Sequence, residues 1–176
     1  MTIPLLITRI WPGETVAVLG NAPSLAAEVA TLERPVRAIA VNRAATAAPW
    51  ADMLVSIDAN WPAEAEDFIG ARIIGFESDS IDAYYMPLPH EQVEVAPGHV
   101  LHLRSNLLAA IRIAAAAGAA KILLLGIDID RYQALHDAPG VGAGLQALIH
   151  ELAASGVVVE YYQPPPAEAA PDERPD

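Results

Sequence analysis

The chain has no cysteine, which excludes a disulfide frame, a thiolate zinc site and a thiol nucleophile. Lysine is almost absent too: Lys121 is the only one. Ten Lys+Arg stand against 22 Asp+Glu, for a formal net charge of −12. Nucleic acid is bound by basic faces that neutralise phosphates, so it is not an expected partner, and no lysine cluster is available for anionic lipid. No apolar run is long and uninterrupted. The longest, 107–125, is cut by Arg112, Gly118 and Lys121, so no membrane span is expected. The N-terminus lacks the basic region and long apolar run of a signal peptide. The expectation is a soluble cytoplasmic protein, with a homo-oligomer left open. Both standard nucleotide loops are missing: there is no G-x-x-x-x-G-K-[ST], and no G-x-G-x-x-G follows the first strand. Gly140, Gly142 and Gly144 lie in PGVGAG, which follows a loop and reads as an approach to the last helix. His90, His99 and His102 share no metal-ligand spacing on one helix.

What is present is a core. With 176 residues and 53% hydrophobic content, the chain is long enough for one buried centre. Short, continuous apolar runs alternate with alanine-rich helical segments. Strands are expected at Leu5–Ile10, Val16–Leu19, Val36–Val41, Asp52–Ile57, Ala71–Phe76, Lys121–Leu125 and Val157–Tyr161, with a further short one at Tyr84–Met86. Helices are expected from about Ser24 to Leu32, up to Ala48, over Ala63–Ile69, from the cap Ser105 to Ala117, and over Val141–Ala154. Residues 129–140 read as a loop and 77–103 as an irregular segment. Such alternation of strand and helix predicts an α/β fold, a Rossmann-like, doubly wound and mostly parallel sheet in a single domain over 1–162. Residues 163–176, QPPPAEAAPDERPD, lack apolar periodicity and read as a disordered, acidic, proline-rich tail.

The polar residues at the strand ends carry the functional signal. Asn21, Asn42, Asp58 and Asp128 each fall at or just past the end of an expected strand. In a parallel sheet those ends share one edge, and ligands bind there, where the strand order reverses. Each residue alone is an ordinary turn former; the set of four favours a site. The turn Gly20–Leu25 is the centre of this edge. A strand ending in Gly20-Asn21, with a helix opening at Ser24, points backbone N–H groups and a helix dipole at the crevice, which suits a phosphate.

Gly20-Asn21-Ala22-Pro23-Ser24-Leu25 also resembles the G-N-G-P-S-L turn of a superfamily. Its members include the bacterial sialyltransferases of the campylobacter type, the archaeal 6-hydroxymethylpterin diphosphokinases, flagellin-modifying proteins and small phage-encoded relatives. Further pieces fall in the same order. Ala40-Val41-Asn42-Arg43 is similar to the second-strand asparagine motif. Ser105 through Asp128 resembles the stretch from a serine-containing helix cap to a strand ending in Gly-x-Asp. His136 matches the catalytic histidine that the sialyltransferases carry before their last helix. The resemblance covers about residues 15–162 and implies a nucleotide-dependent transferase. Gly20, Asn21, Ala22, Ser24, Asn42, Asp58 and Ser105 would line the nucleotide site. Asp128 would orient the nucleotide, and His136 would take a proton from an acceptor hydroxyl. The donor would be a CMP-sugar for sialyl-type glycosyl transfer. For a pterin-type diphosphokinase it would be ATP, with Mg²⁺ on Asp128 and Asp130. A third reading is a non-catalytic phage or prophage accessory protein that retains the fold. The chain departs from the pattern at Ala22, where the resembling families have glycine, and at Asp130, with only Tyr132 near the two tyrosines of the sialyltransferases. A positive φ at Ala22 would mean that the glycine backbone geometry persists.

Overall fold

A computed structural model describes residues 2–4, 9–34, 36–56, 67–74, 83–85, 92–96, 99–102, 105–131 and 140–165. Ten strands and four helices are distinguished within them. In chain order they are β1 (Thr2–Pro4), β2 (Thr15–Leu19), α1 (Leu25–Thr31), β3 (Arg37–Val41), α2 (Ala44–Ala47), β4 (Met53–Ser56) and β5 (Ala71–Ile74). Then come β6 (Ala83–Tyr85), β7 (Gln92–Ala96), β8 (His99–His102), α3 (Asn106–Ala116), β9 (Lys121–Leu125), α4 (Val141–Ala154) and β10 (Val158–Tyr161). Eight strands form one sheet in the order β1-β6-β5-β4-β3-β2-β9-β10, and every pair in it is parallel. The strands β7 and β8 form a separate antiparallel hairpin. The fold is therefore the expected α/β, doubly wound, Rossmann-like one.

Alternation along the strands explains both layers. Val16, Val18, Ile39, Val41, Val55, Ile73, Ile122 and Leu124 share one core with α3 and α4. The intervening residues Ala17, Leu19, Ala38, Ala40, Leu54 and Leu125 share the other with α1 and α2. Parallel strands covered on both faces read as unbroken apolar runs, which is why these segments are legible in the sequence. The alanines have a structural use. Ala17, Ala38 and Ala40 share a cluster with Ala44, Ala45 and Ala48, so α2 comes close to the sheet over small side chains. Helix α3 is buried at eight of its eleven positions and packs over the middle strands.

Several element boundaries differ from expectation. The first strand is Thr2–Pro4, at the edge of the sheet where a proline is tolerated, and Arg9 and Ile10 are not strand. Asp67–Ile69, the end of the expected third helix, is turn and coil, leading into Gly70, where an added Cβ would stand 2.6 Å from Asp52 O. The irregular segment holds β6 and the β7–β8 hairpin. Residues 129–131, expected as loop, form a helical turn. Residues 5–8, 63–66, 86–91 and 166–176 lie outside the described residues.

At the amino edge of the sheet, α3 ends at Gly118, whose φ of +98° suits glycine alone. Trp11 and Gly13 donate to the carbonyls of Ala117 and Gly118, at 2.8 Å each. The start of β2 thus lies under the C-terminus of α3, and the helix runs antiparallel to the strands. Nearby, Asp52 staples β3 to β4. Its Oδ2 accepts the Ala38 N–H at 2.9 Å and its Oδ1 accepts from Arg37 Nη1 at 3.1 Å. The Arg37 guanidinium, bonded to Glu14 and then to Asp52, is held above its usual pKa. Both ion pairs are exposed and contribute little, whereas the Asp52 bond to the backbone is partly buried. Asp52→Ala is expected to cost about 1–2 kcal/mol in urea denaturation, with Arg37→Ala close to neutral.

Candidate functional site

The strand order places the crevice. From β2 the chain steps outward through β3, β4, β5 and β6, then returns over the sheet through α3 to β9 on the other side of β2. The order reverses between β2 and β9. At such a reversal the loops leaving the two strands diverge to opposite faces and open a crevice at their carboxyl ends. Here those loops are Gly20–Ser24 and Gly126–Asp128.

The two loops meet at glycines. Gly20 N–H donates to Leu125 O and Ala22 N–H to Gly126 O, both at 2.8 Å. A Cβ on Gly20 would stand 2.5 Å from Gly126 O and would also strike Ile127 Cδ1. Gly126 has a φ of +60°, and a Cβ there would lie 2.8 Å from Leu25 Cβ. Gly126 N–H in turn donates to Glu28 Oε2 at 2.8 Å. The floor of the crevice is thus sealed by protein hydrogen bonds. Ala22 lacks the positive φ of a glycine position: among the described non-glycine residues only Asn42 has one, at 50°. Alanine therefore fits this turn without left-handed strain, and the backbone differs from one that requires glycine.

The expected site residues converge in part. Gly20, Asn21, Ala22 and Ser24 form the β2–α1 turn, with Asn21 and Ser24 exposed. Asn42 follows β3 directly, and its N–H donates to Val55 O at 3.0 Å. Ser105 precedes α3, whose antiparallel course brings its N-terminus to the same edge. Asp128 and Asp130 follow β9. Asp58, His136 and Tyr132 lie outside the described residues.

Two of these residues behave differently from their sequence expectation. Ser105 has the extended N-cap conformation, φ −133° and ψ 123°, but its hydroxyl makes no capping bond. Asp128 Oδ1 accepts the Arg131 N–H at 2.9 Å, capping the helical turn at 129–131. That cap explains an aspartate here without a ligand. Asp128 and Asp130 are both exposed.

The edge holds buried polar atoms without partners among the described residues. Asn42 Oδ1, Ser56 Oγ and Ser105 Oγ are closed off from solvent and take part in no hydrogen bond there. Ser56 is 0% exposed and Ser105 1%. Each such atom costs about 1–3 kcal/mol, and native proteins rarely retain one without a reason. The left-handed backbone of Asn42 adds strain of about 1 kcal/mol at the same edge. Ser56 and Glu28 escape a reading of the sequence. Ser56 reads as one more residue of the run DMLVSI, and only the structure makes it the last residue of the strand. Glu28 reads as a solvated acid on an alanine-rich helix, and nothing local marks its reach to Gly126.

Compared with known proteins, the chain matches no family model, no curated protein and no solved structure.

Proposed function

We propose that the chain is a nucleotide-dependent group transferase, with the nucleotide lying along the carboxyl edge from the β2–β9 reversal toward the ends of β3 and β4. The observation that supports this is the set of unpartnered buried polar atoms on Asn42, Ser56 and Ser105, at the carboxyl ends of β3 and β4 and the start of α3. Adjacent strands are about 4.8 Å apart, so the span from the β2–β9 boundary to the β3–β4 boundary is about 10 Å. That is the scale of one nucleoside with its phosphate. Amide and hydroxyl groups suit a base and a sugar, and the floor of the crevice already has its N–H donors engaged. This favours a sugar donor such as a CMP-linked one over a metal-bound triphosphate. In that reaction the acceptor oxygen bonds to the anomeric carbon as the bond to CMP breaks. His136, by its resemblance, takes the acceptor's proton.

Calorimetry with CMP, ADP, ATP and GTP, each with and without Mg²⁺, tests the reading. CMP binding without metal is the expected result. ATP binding only with Mg²⁺ would transfer the assignment to diphosphoryl transfer, and no binding by any of the four would leave the non-catalytic accessory role. In the glycosyl-transfer case His136→Ala should lower kcat by about 10²-fold or more with the CMP affinity unchanged.

A further inference from the structure

We propose that Ser56 is a ligand contact which, paired with Asn42, reads the ribose diol; the inference rests on the nucleotide reading above. The register Val41↔Val55 and the bond from Asn42 N–H to Val55 O set Asn42 across from Ser56 at the ends of β3 and β4. Each presents a buried atom with no partner among the described residues, Asn42 Oδ1 and Ser56 Oγ. Asn42 lies 22 residues beyond Gly20, at the end of β3, the strand that follows the glycine turn and α1. In doubly wound sheets that is the place from which a side chain reaches the ribose hydroxyls.

The chemistry of the two atoms narrows the ligand group. Asn42 Oδ1 only accepts, so it needs a donor, while a serine hydroxyl both donates and accepts. A carbonyl or a phosphate oxygen would satisfy Ser56 and leave Asn42 Oδ1 orphaned. Two neighbouring hydroxyls satisfy both, because each is donor and acceptor. Alanine would fill the volume at the end of β4 as well as serine does and would bury no orphan, so packing alone does not account for the hydroxyl. Both atoms are closed to solvent, so a ligand reaches them through a rearrangement at the carboxyl edge.

The test compares CMP with 2′-deoxy-CMP on the wild type and on Ser56→Ala, by calorimetry, together with the thermal midpoint of each protein without ligand. The wild type should prefer CMP by about tenfold or more, and Ser56→Ala should reduce that preference about fivefold or more. The midpoint of the unliganded variant should stay level or rise, since an orphaned hydroxyl has been removed. An unchanged preference in Ser56→Ala, with both nucleotides still binding, overturns the role of Ser56 and leaves the nucleotide reading intact. A fall of several degrees in the unliganded midpoint also overturns it, because the hydroxyl would then be partnered within the protein. If the wild type binds neither CMP nor 2′-deoxy-CMP, the CMP-donor reading fails and this inference fails with it.

Discussion

Gly20→Ala is expected to destabilise the protein by about 3 kcal/mol, at the upper end of what overpacking costs. The added methyl has nowhere to go. It would stand 2.5 Å from the carbonyl oxygen of Gly126 and 3.2 Å from its carbonyl carbon, both backbone atoms. A flexible side chain could rotate away, but a backbone carbonyl moves only with its strand. Relief therefore requires the β2 and β9 loops to separate, which strains the bonds from Gly20 N–H to Leu125 O and from Ala22 N–H to Gly126 O. The comparison is Gly13→Ala. Gly13 has a φ of +77°, but an added Cβ would meet nothing within 4 Å, so only backbone strain of about 1–2 kcal/mol is incurred. Urea denaturation of the two variants should rank Gly20→Ala well below Gly13→Ala. Equal losses would mean that the loops are not in contact.

Ile111→Ala is expected to cost about 3–4 kcal/mol, within the range for emptying a fully buried branched side chain. Ile111 lies in the middle of α3 and is completely buried among the residues that join α3 to the sheet and to α4. Its neighbours have little freedom to collapse into the space, because α3 contacts β2, β3, β4, β9 and α4 at once. The midpoint of the urea transition should fall with its slope unchanged. Arg112, the next residue, faces outward far enough to approach Glu151 on α4 at 3.4 Å, and Arg112→Ala should be close to neutral by the same measurement. A similar loss at both positions would contradict the burial pattern of α3.

The carboxyl edge is legible in the sequence as a place and only partly as a site. Asn21, Asn42 and Asp128 stand out because each ends an apolar run, and strand ends in a parallel sheet share an edge. Ser105 reads as a helix cap, yet its hydroxyl caps nothing. Asp128 reads as a ligand contact, and the structure gives it a capping bond to Arg131 N–H. Ser56 is silent because a serine inside a strand has no local signature. Its significance depends on whether some other element supplies a partner, and among the described residues none does. The bond from Gly126 N–H to Glu28 joins residues 98 apart in sequence, a separation that no periodicity reports.

The sequence by itself determined the class of fold, because strands buried on both faces must be apolar throughout and helices between them must carry one apolar stripe. It also determined that the carboxyl edge would be lined by small polar residues, since those are the residues left where apolar runs stop. Strand order was decided only in three dimensions. The return of the chain through α3 to set β9 beside β2, rather than beyond β6, is what brings the loops at Gly20 and Gly126 together. The state of each polar atom was also decided there. Whether Asn42 Oδ1, Ser56 Oγ or Asp128 Oδ1 is satisfied depends on groups brought from other parts of the chain, and hydrogen bonding is short-ranged in space but indifferent to distance along the sequence.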